Sequence, residues 1–161
     1  MNDFNFPNWY ILAVEETDYE HLIRVEYAVR PTRCSHCGSV SEHTRFGKRQ
    51  QRFRDLPVQG KPTNIFVQRR RCRCKNCGRT FLEWLPDIDE HHRATKRLVA
   101  YIRRELPLRT YVSIAAEVGL SEGSIRNISR DSLRTTSTDV ATEVAVPKEA
   151  HLFRVGEQEH D

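Results

Sequence analysis

Cys34-Ser35-His36-Cys37-Gly38 and Cys74-Lys75-Asn76-Cys77-Gly78 are two copies of one short motif, and the fold follows from what they do together. Each sets two thiols three positions apart, with a glycine after the second. That glycine tolerates the positive φ that closes a tight knuckle and aims both sulfurs at one point. Thirty-six residues separate the copies, room for two or three strands and a loop. Four thiolates presented in this way, Cys34, Cys37, Cys74 and Cys77, suit one structural Zn2+ in a closed tetrahedral site with no open position for chemistry. Cys72 is a fifth cysteine, so Cys72-x-Cys74 competes with Cys74-x-x-Cys77. The second spacing is preferred because it repeats the first knuckle down to the glycine. Cys72 then takes a strand position as a small hydrophobe. His36 and His43 are reserve nitrogen ligands. The odd cysteine count and a start without basic and apolar leader regions argue against a disulfide framework.

The chain has 161 residues, 38% hydrophobic and 30% charged, which allows one domain or two small ones with thin cores. A structural metal compensates for such a core. No run is long and apolar enough for a membrane span, so a cytoplasmic, nucleoid-associated protein is expected, with no membrane partner and no small-molecule substrate. The net charge of +4 hides its distribution. Residues 1–29 hold one arginine against six acids, whereas residues 30–80 hold fourteen lysines and arginines against Glu42 and Asp55. Residues 81–134 are nearly balanced and 135–161 are acidic. A positive charge concentrated on the cysteine-bracketed unit is the footprint of a protein that meets a phosphate backbone.

Residues 9–14 form an apolar run that ends at Glu15-Glu16-Thr17-Asp18. Residues 21–29 alternate, with Ile23, Val25, Tyr27 and Val29 on one face, so a β-hairpin leads into the first knuckle. Between the knuckles, residues 43–46 predict a short strand, 47–54 a basic stretch, 56–62 a turn around Pro57, Gly60 and Pro62, and 64–71 a second strand ending in Arg69-Arg70-Arg71. Residues 80–85 read as a closing strand. The whole is a zinc ribbon, whose Arg69, Arg70, Arg71, Arg73 and Lys75 are candidate DNA contacts.

Pro86-Asp87-Ile88-Asp89 marks a boundary, after which apolar residues at Ala94, Leu98, Tyr101, Ile102 and Leu106 predict an amphipathic helix from Glu90, stopped by Pro107. Lys96 and Arg97 lie on its basic face. Residues 114–128, IAAEVGLSEGSIRNI, then have the pattern of a helix-turn-helix. Ala115 stands at a close crossing, Gly119 at a left-handed turn, Ser121 at a cap, and Ile125 and Ile128 on an inner face. The helix from Ser121 to about Leu133 is the expected recognition helix. Ser121, Glu122, Ser124, Arg126, Asn127 and Arg130 are its candidate DNA contacts, with Asn127 suited to adenine and Arg126 or Arg130 to guanine or phosphate.

With both motifs placed, the chain resembles the N-terminal half of insertion-sequence transposases of the ISL-three family. The segment Arg70-Arg71-Cys72-Arg73-Cys74-Lys75-Asn76-Cys77-Gly78-Arg79-Thr80-Phe81-Leu82-Glu83 carries the likeness, followed by the helix-turn-helix. The resemblance covers roughly residues 9–134 and implies the same four zinc ligands and a helix from Ser121 that reads the element's ends. Cys72 departs from the aromatic residue usual there. The family continues into a ribonuclease-H-like domain with three catalytic carboxylates, and Glu157, Glu159 and Asp161 do not substitute for them on one short tail. No catalysis is expected of this chain alone.

The fold class expected is α+β: an N-terminal β-hairpin and four-cysteine zinc ribbon (residues 1–85), then a small helical helix-turn-helix domain (86–134), then a linker and acidic tail (135–161). The function expected is zinc-dependent, sequence-specific binding of double-stranded DNA, as a transposase-derived protein that recognises transposon ends. A homodimer or a full-length transposase is the expected protein partner. The alternatives are a transcriptional regulator on a promoter, which uses the same parts, and a zinc-ribbon adaptor that holds a protein and shows little salt-dependent DNA affinity.

Overall fold

A computed structural model describes residues 6–40 and 43–143, with the side chains of 136–143 left aside. The elements in order are β1 (Trp9–Glu16), β2 (His21–Tyr27), β3 (His43–Val58), β4 (Lys61–Cys74), β5 (Thr80–Leu82), β6 (Ile88–Asp89), β7 (Ala94–Thr95), α1 (Lys96–Glu105), α2 (Tyr111–Val118) and α3 (Glu122–Glu143). Six strands follow the order β1-β2-β4-β3-β7-β6 in one mixed sheet, and β5 pairs β4.

This architecture corrects the expected α+β arrangement of a hairpin and ribbon followed by a small helical domain. The molecule is predominantly sheet, and that sheet is continuous from the hairpin through the ribbon to the residues just before α1. Two features produce the continuity. The hairpin joins the ribbon because β2 pairs in parallel with β4, with Ile23 opposite Ile65 and Val25 opposite Val67. The ribbon strands are also far longer than the turn-like residues suggest. β3 and β4 run for 16 and 14 residues and meet in a two-residue turn at Gln59 and Gly60, with φ of 51° and 74°. Positive φ at both central positions is the hairpin turn whose twist matches the flanking strands. The pairing shifts register between Asp55 and Val58, which accommodates Pro57, and between Arg45 and Lys48, where Gly47 has φ 99°.

Period-two alternation builds the main core. Ile23, Val25 and Tyr27 of β2 pack with Phe53, Ile65, Val67, Leu85 and Ile88. Burial of each large aliphatic side chain stabilises the fold by about 1.5–3 kcal/mol. Trp9 packs against Tyr27 with tilted rings, centroids 5.1 Å apart, and donates its indole N–H to Asp87 at 2.7 Å. The acidic N-terminal strands lie beside the basic ones, so Glu16 pairs with Lys61 at 2.7 Å and Glu26 with Lys48 at 3.2 Å. Part of the ribbon's positive charge is therefore neutralised inside the molecule.

The first helix begins later than its periodicity predicts. Residues 90–93 form a turn between β6 and β7, and Ala94 pairs with Arg54 of β3 rather than starting a helix. Thr95 caps α1 by accepting the Leu98 N–H at 3.3 Å. Leu98, Val99 and Ile102 of α1 meet Ile114, Ala115 and Val118 of α2 and Ile125 and Ile128 of α3 in a second core, against which Leu56 of β3 also packs. Gly119 closes α2 in the left-handed conformation, φ 70°, its N–H donating to the Ala115 carbonyl at 3.0 Å. A β-carbon there would stand 2.7 Å from Pro62, so this glycine also lets the helices meet the β3–β4 hairpin. α3 continues to Glu143, past the stretch 135–138 that composition suggests is a linker. Residues 144–161, including Glu157, Glu159 and Asp161, lie outside the described residues. No described helix is long and apolar enough to cross a membrane.

Candidate metal centre and nucleic-acid interface

The two knuckles have the same backbone. In the first, the Gly38 N–H donates to the Cys34 carbonyl at 2.9 Å and the Cys34 N–H to Ser39 at 3.1 Å; in the second, Gly78 donates to Cys74 at 3.0 Å and Cys74 to Arg79 at 2.9 Å. Gly38 and Gly78 have φ of 68° and 72°. Register brings the knuckles together, because β3 starts just after the first and β4 ends at the second, with His43 opposite Cys74. The sulfurs of Cys34 and Cys77 are 3.7 Å apart, as are those of Cys37 and Cys74. All four lie within 4.8 Å of one another. A tetrahedron with Zn–S bonds of about 2.3 Å has edges of about 3.8 Å, so four sulfurs at this spacing fit one zinc ion. Zinc bound there neutralises part of the thiolate charge and links the knuckles.

Backbone donors favour the charged form of part of this cluster. The Cys77 N–H, against the cost of burial and with help from the Asn76 N–H, lowers the Cys74 thiol to about 6. Cys72 is buried against Cys34, Cys74 and Phe81 and stands outside the ligand set. Burial raises its thiol above the ordinary value. His36 is tied to the Thr80 carbonyl through Nε2 at 3.1 Å, and His43 packs edge-on to Phe81 at 4.9 Å.

The arginine run after the hairpin divides in two. Arg69 is 4% exposed, and it donates to the Glu83 carbonyl at 2.7 Å, to Gln51 at 2.9 Å and to Glu90 at 2.6 Å. Arg70 donates to the Tyr27 carbonyl at 2.6 Å, and its own N–H reaches Glu83 at 2.8 Å. Both guanidinium groups therefore serve the fold. Glu83 is 1% exposed, and burial raises its carboxyl despite the nearby Arg70. Arg71, Arg73 and Lys75 are exposed at the zinc end, where Arg71 also stacks on Phe46 at 5.2 Å. Lys96 is exposed beside Trp84, whereas Arg97 is committed to the buried Asp55 carboxylate, which also accepts from Thr95 at 2.6 Å.

α3 starts at a cap in which the Ser121 hydroxyl accepts the Ser124 N–H at 3.1 Å. Ile125 and Ile128 are buried beneath it, leaving Arg126, Asn127 and Arg130 exposed. Glu122 pairs with Arg126. Ser124 and Asn127 line a cleft of about 330 Å3 with Arg52, Arg54 and Arg93. The structure thus brings two predicted contacts together with three bases absent from the predicted set. Burial, and then the charge of Arg52, lowers the Arg54 guanidinium. The basic stretch at residues 47–54 contained this signal, but with no element assigned to it the stretch did not reveal that Arg52 and Arg54 share a strand.

Residues 30–77 match the family described as zinc-finger of transposase IS204/IS1001/IS1096/IS1165. Neither curated proteins nor solved structures give a match to the chain. The matched segment contains both knuckles and the two long strands between them, and the four knuckle cysteines form the site for one zinc ion.

Proposed function

We propose that this protein binds double-stranded DNA in a sequence-specific, zinc-dependent manner, with α2 and α3 acting as a helix-turn-helix and α3 as the reading helix. The carrying observation is the cleft where α3 meets the sheet. There Asn127 and Ser124, groups able to donate and accept to base edges, stand beside the cationic Arg52, Arg54 and Arg93. Exposed Arg126 and Arg130 flank Asn127 on the same helix. Further exposed bases sit at the zinc end of the sheet, Arg45 on one face and Arg71 and Arg73 on the other. Nine residues of strand separate Arg45 from Arg54, about 30 Å, close to one turn of duplex. In this reading Arg45 and the cleft arginines, which share one face of the strand pair, grip backbone on successive turns while α3 selects the sequence.

The family likeness of residues 30–77 supports a transposon end as the target, and a full-length transposase or a second copy of the chain as the partner. The chain's own contribution is recognition. Its zinc, held by four thiolates, leaves no position for substrate.

Titration of a labelled duplex across salt concentrations tests the binding mode. Affinity should fall steeply as salt rises, and Arg52→Gln and Arg130→Gln should each reduce the log–log slope by about 1 where a phosphate contact is lost. A flat salt response would contradict the reading and favour the zinc-ribbon adaptor that binds protein.

A further inference from the structure

The turn between β6 and β7 carries two adjacent histidines, His91 and His92, which line the same cleft as Asn127 but have no role in the zinc knuckles or in the DNA reading. His92 has a side chain only 7% exposed, yet both of its ring nitrogens face carboxylates. Nδ1 is 2.8 Å from Asp89 Oδ2, and Nε2 is 3.0 Å from Asp131 Oδ2 on α3. A neutral imidazole carries one N–H, so one of these two contacts needs either an added proton or a cation. The Asp89 side is settled by a second bond, since the His92 backbone N–H donates to Asp89 Oδ1 at 3.0 Å and fixes that carboxylate. The open question therefore lies at Nε2. There His91 contributes its own Nε2, 3.1 Å from the same Asp131 oxygen.

We infer that His91, His92 and Asp131 form a second metal site, for a divalent transition ion of the zinc class, with Asp89 orienting His92. Two imidazole nitrogens and one carboxylate oxygen, all within 4.8 Å of one another, are a donor set that zinc accepts. A carboxylate behind the ligating histidine fixes its tautomer and strengthens it as a donor. Donor atoms bound at about 2.0–2.1 Å stand about 3.3 Å apart in a tetrahedron, so the two edges at Asp131, 3.1 and 3.0 Å, require only a small opening, and the two histidine nitrogens lie within 4.8 Å of each other. Three protein ligands leave the fourth position to water. The local backbone presents the pair: Arg93 adopts φ 52°, and the two rings meet edge to face with centroids 4.7 Å apart. The ion would fasten α3 to the β6–β7 turn, across thirty-nine residues of chain.

The test is a calorimetric titration of the full chain, its four-cysteine site already filled, with Zn2+ alone, repeated with Co2+ under optical detection. A second equivalent should bind, and its cobalt spectrum should lack sulfur charge-transfer bands. Asp131→Asn and His91→Ala should weaken that step at least about tenfold. Asp89→Asn, which touches no metal, should weaken it about 10–100-fold. Zinc in excess should raise the melting temperature of wild type and leave that of Asp131→Asn unchanged, provided circular dichroism shows both folded. Absence of a second equivalent at sub-millimolar zinc would overturn the site. Wild-type binding by folded Asp131→Asn would overturn it equally.

Discussion

Cys72 and Cys74 are two residues apart on one strand face, yet only Cys74 belongs to the zinc site. Cys74→Ser should therefore lose the tightly held zinc and unfold the knuckles, since a structural zinc contributes its binding energy to folding. Cys72→Ser should retain that zinc. Metal analysis after gel filtration checks both, and zinc loss in Cys72→Ser would contradict the ligand assignment. The knuckles were legible in the sequence because a repeated spacing with its glycine states a local geometry outright. The roles of the arginines were not, because Arg69 and Arg71 share a strand face yet meet different neighbours, Glu83 and Glu90 for the first and the exposed ring of Phe46 for the second. Arg69, held by three partners, should cost about 2–3 kcal/mol of stability in Arg69→Ala, measured by urea unfolding. Arg71→Ala, at an exposed position, should cost less than about 1 kcal/mol. Equal losses would mean that the division of the run into structural and surface groups is wrong.

Among the elements, the helices behaved closest to their sequence signals. Gly119, Ser121, Ile125 and Ile128 sit as a turn, a cap and two core positions, because each is decided within a few residues. The strands were harder to read. Pro57 and Gly60 resemble the ends of elements, but the bulge between Asp55 and Val58 and the two-residue turn keep the ladder going, and no local preference predicts the parallel partner β2. The first helix starts later than its periodicity predicts: Ala94 and Leu98 share its period, but a cap at Thr95 and the pairing of Ala94 with Arg54 take precedence. One ion pair gives the helical unit a pH signature. Arg109 at the α1–α2 junction holds the Glu117 carboxyl below its ordinary 4.5, with burial opposing and the Tyr101 hydroxyl, 2.8 Å away, assisting. A lowered folded-state value means stability present above 4.5 and lost as pH falls through that lowered value. The stability gap between wild type and Glu117→Gln should therefore be largest near neutrality and close in acid below 4.5. A gap independent of pH would remove the ion pair from the account.

For the whole molecule, the sheet is the frame that sets two basic groups along one long strand pair, with zinc at one end and α3 at the other. Segment charge alone overstated the ribbon's positive surface, since acids from β1 and β2 pair with it once the parallel strand is in place. What remains exposed is divided between the knuckle end and the cleft, and α3 supplies the polar side chains between cations. The measurement that tests this most directly is selection of bound duplexes from a random DNA pool by wild type and by Asn127→Ala. The account predicts that wild type enriches one motif, and that Asn127→Ala retains salt-dependent binding while losing discrimination at one base pair or more, about 1–3 kcal/mol each. Failure of wild type to enrich any motif, or an unchanged motif in Asn127→Ala together with Arg126→Ala and Arg130→Ala, would contradict the assignment of α3 as the reading helix.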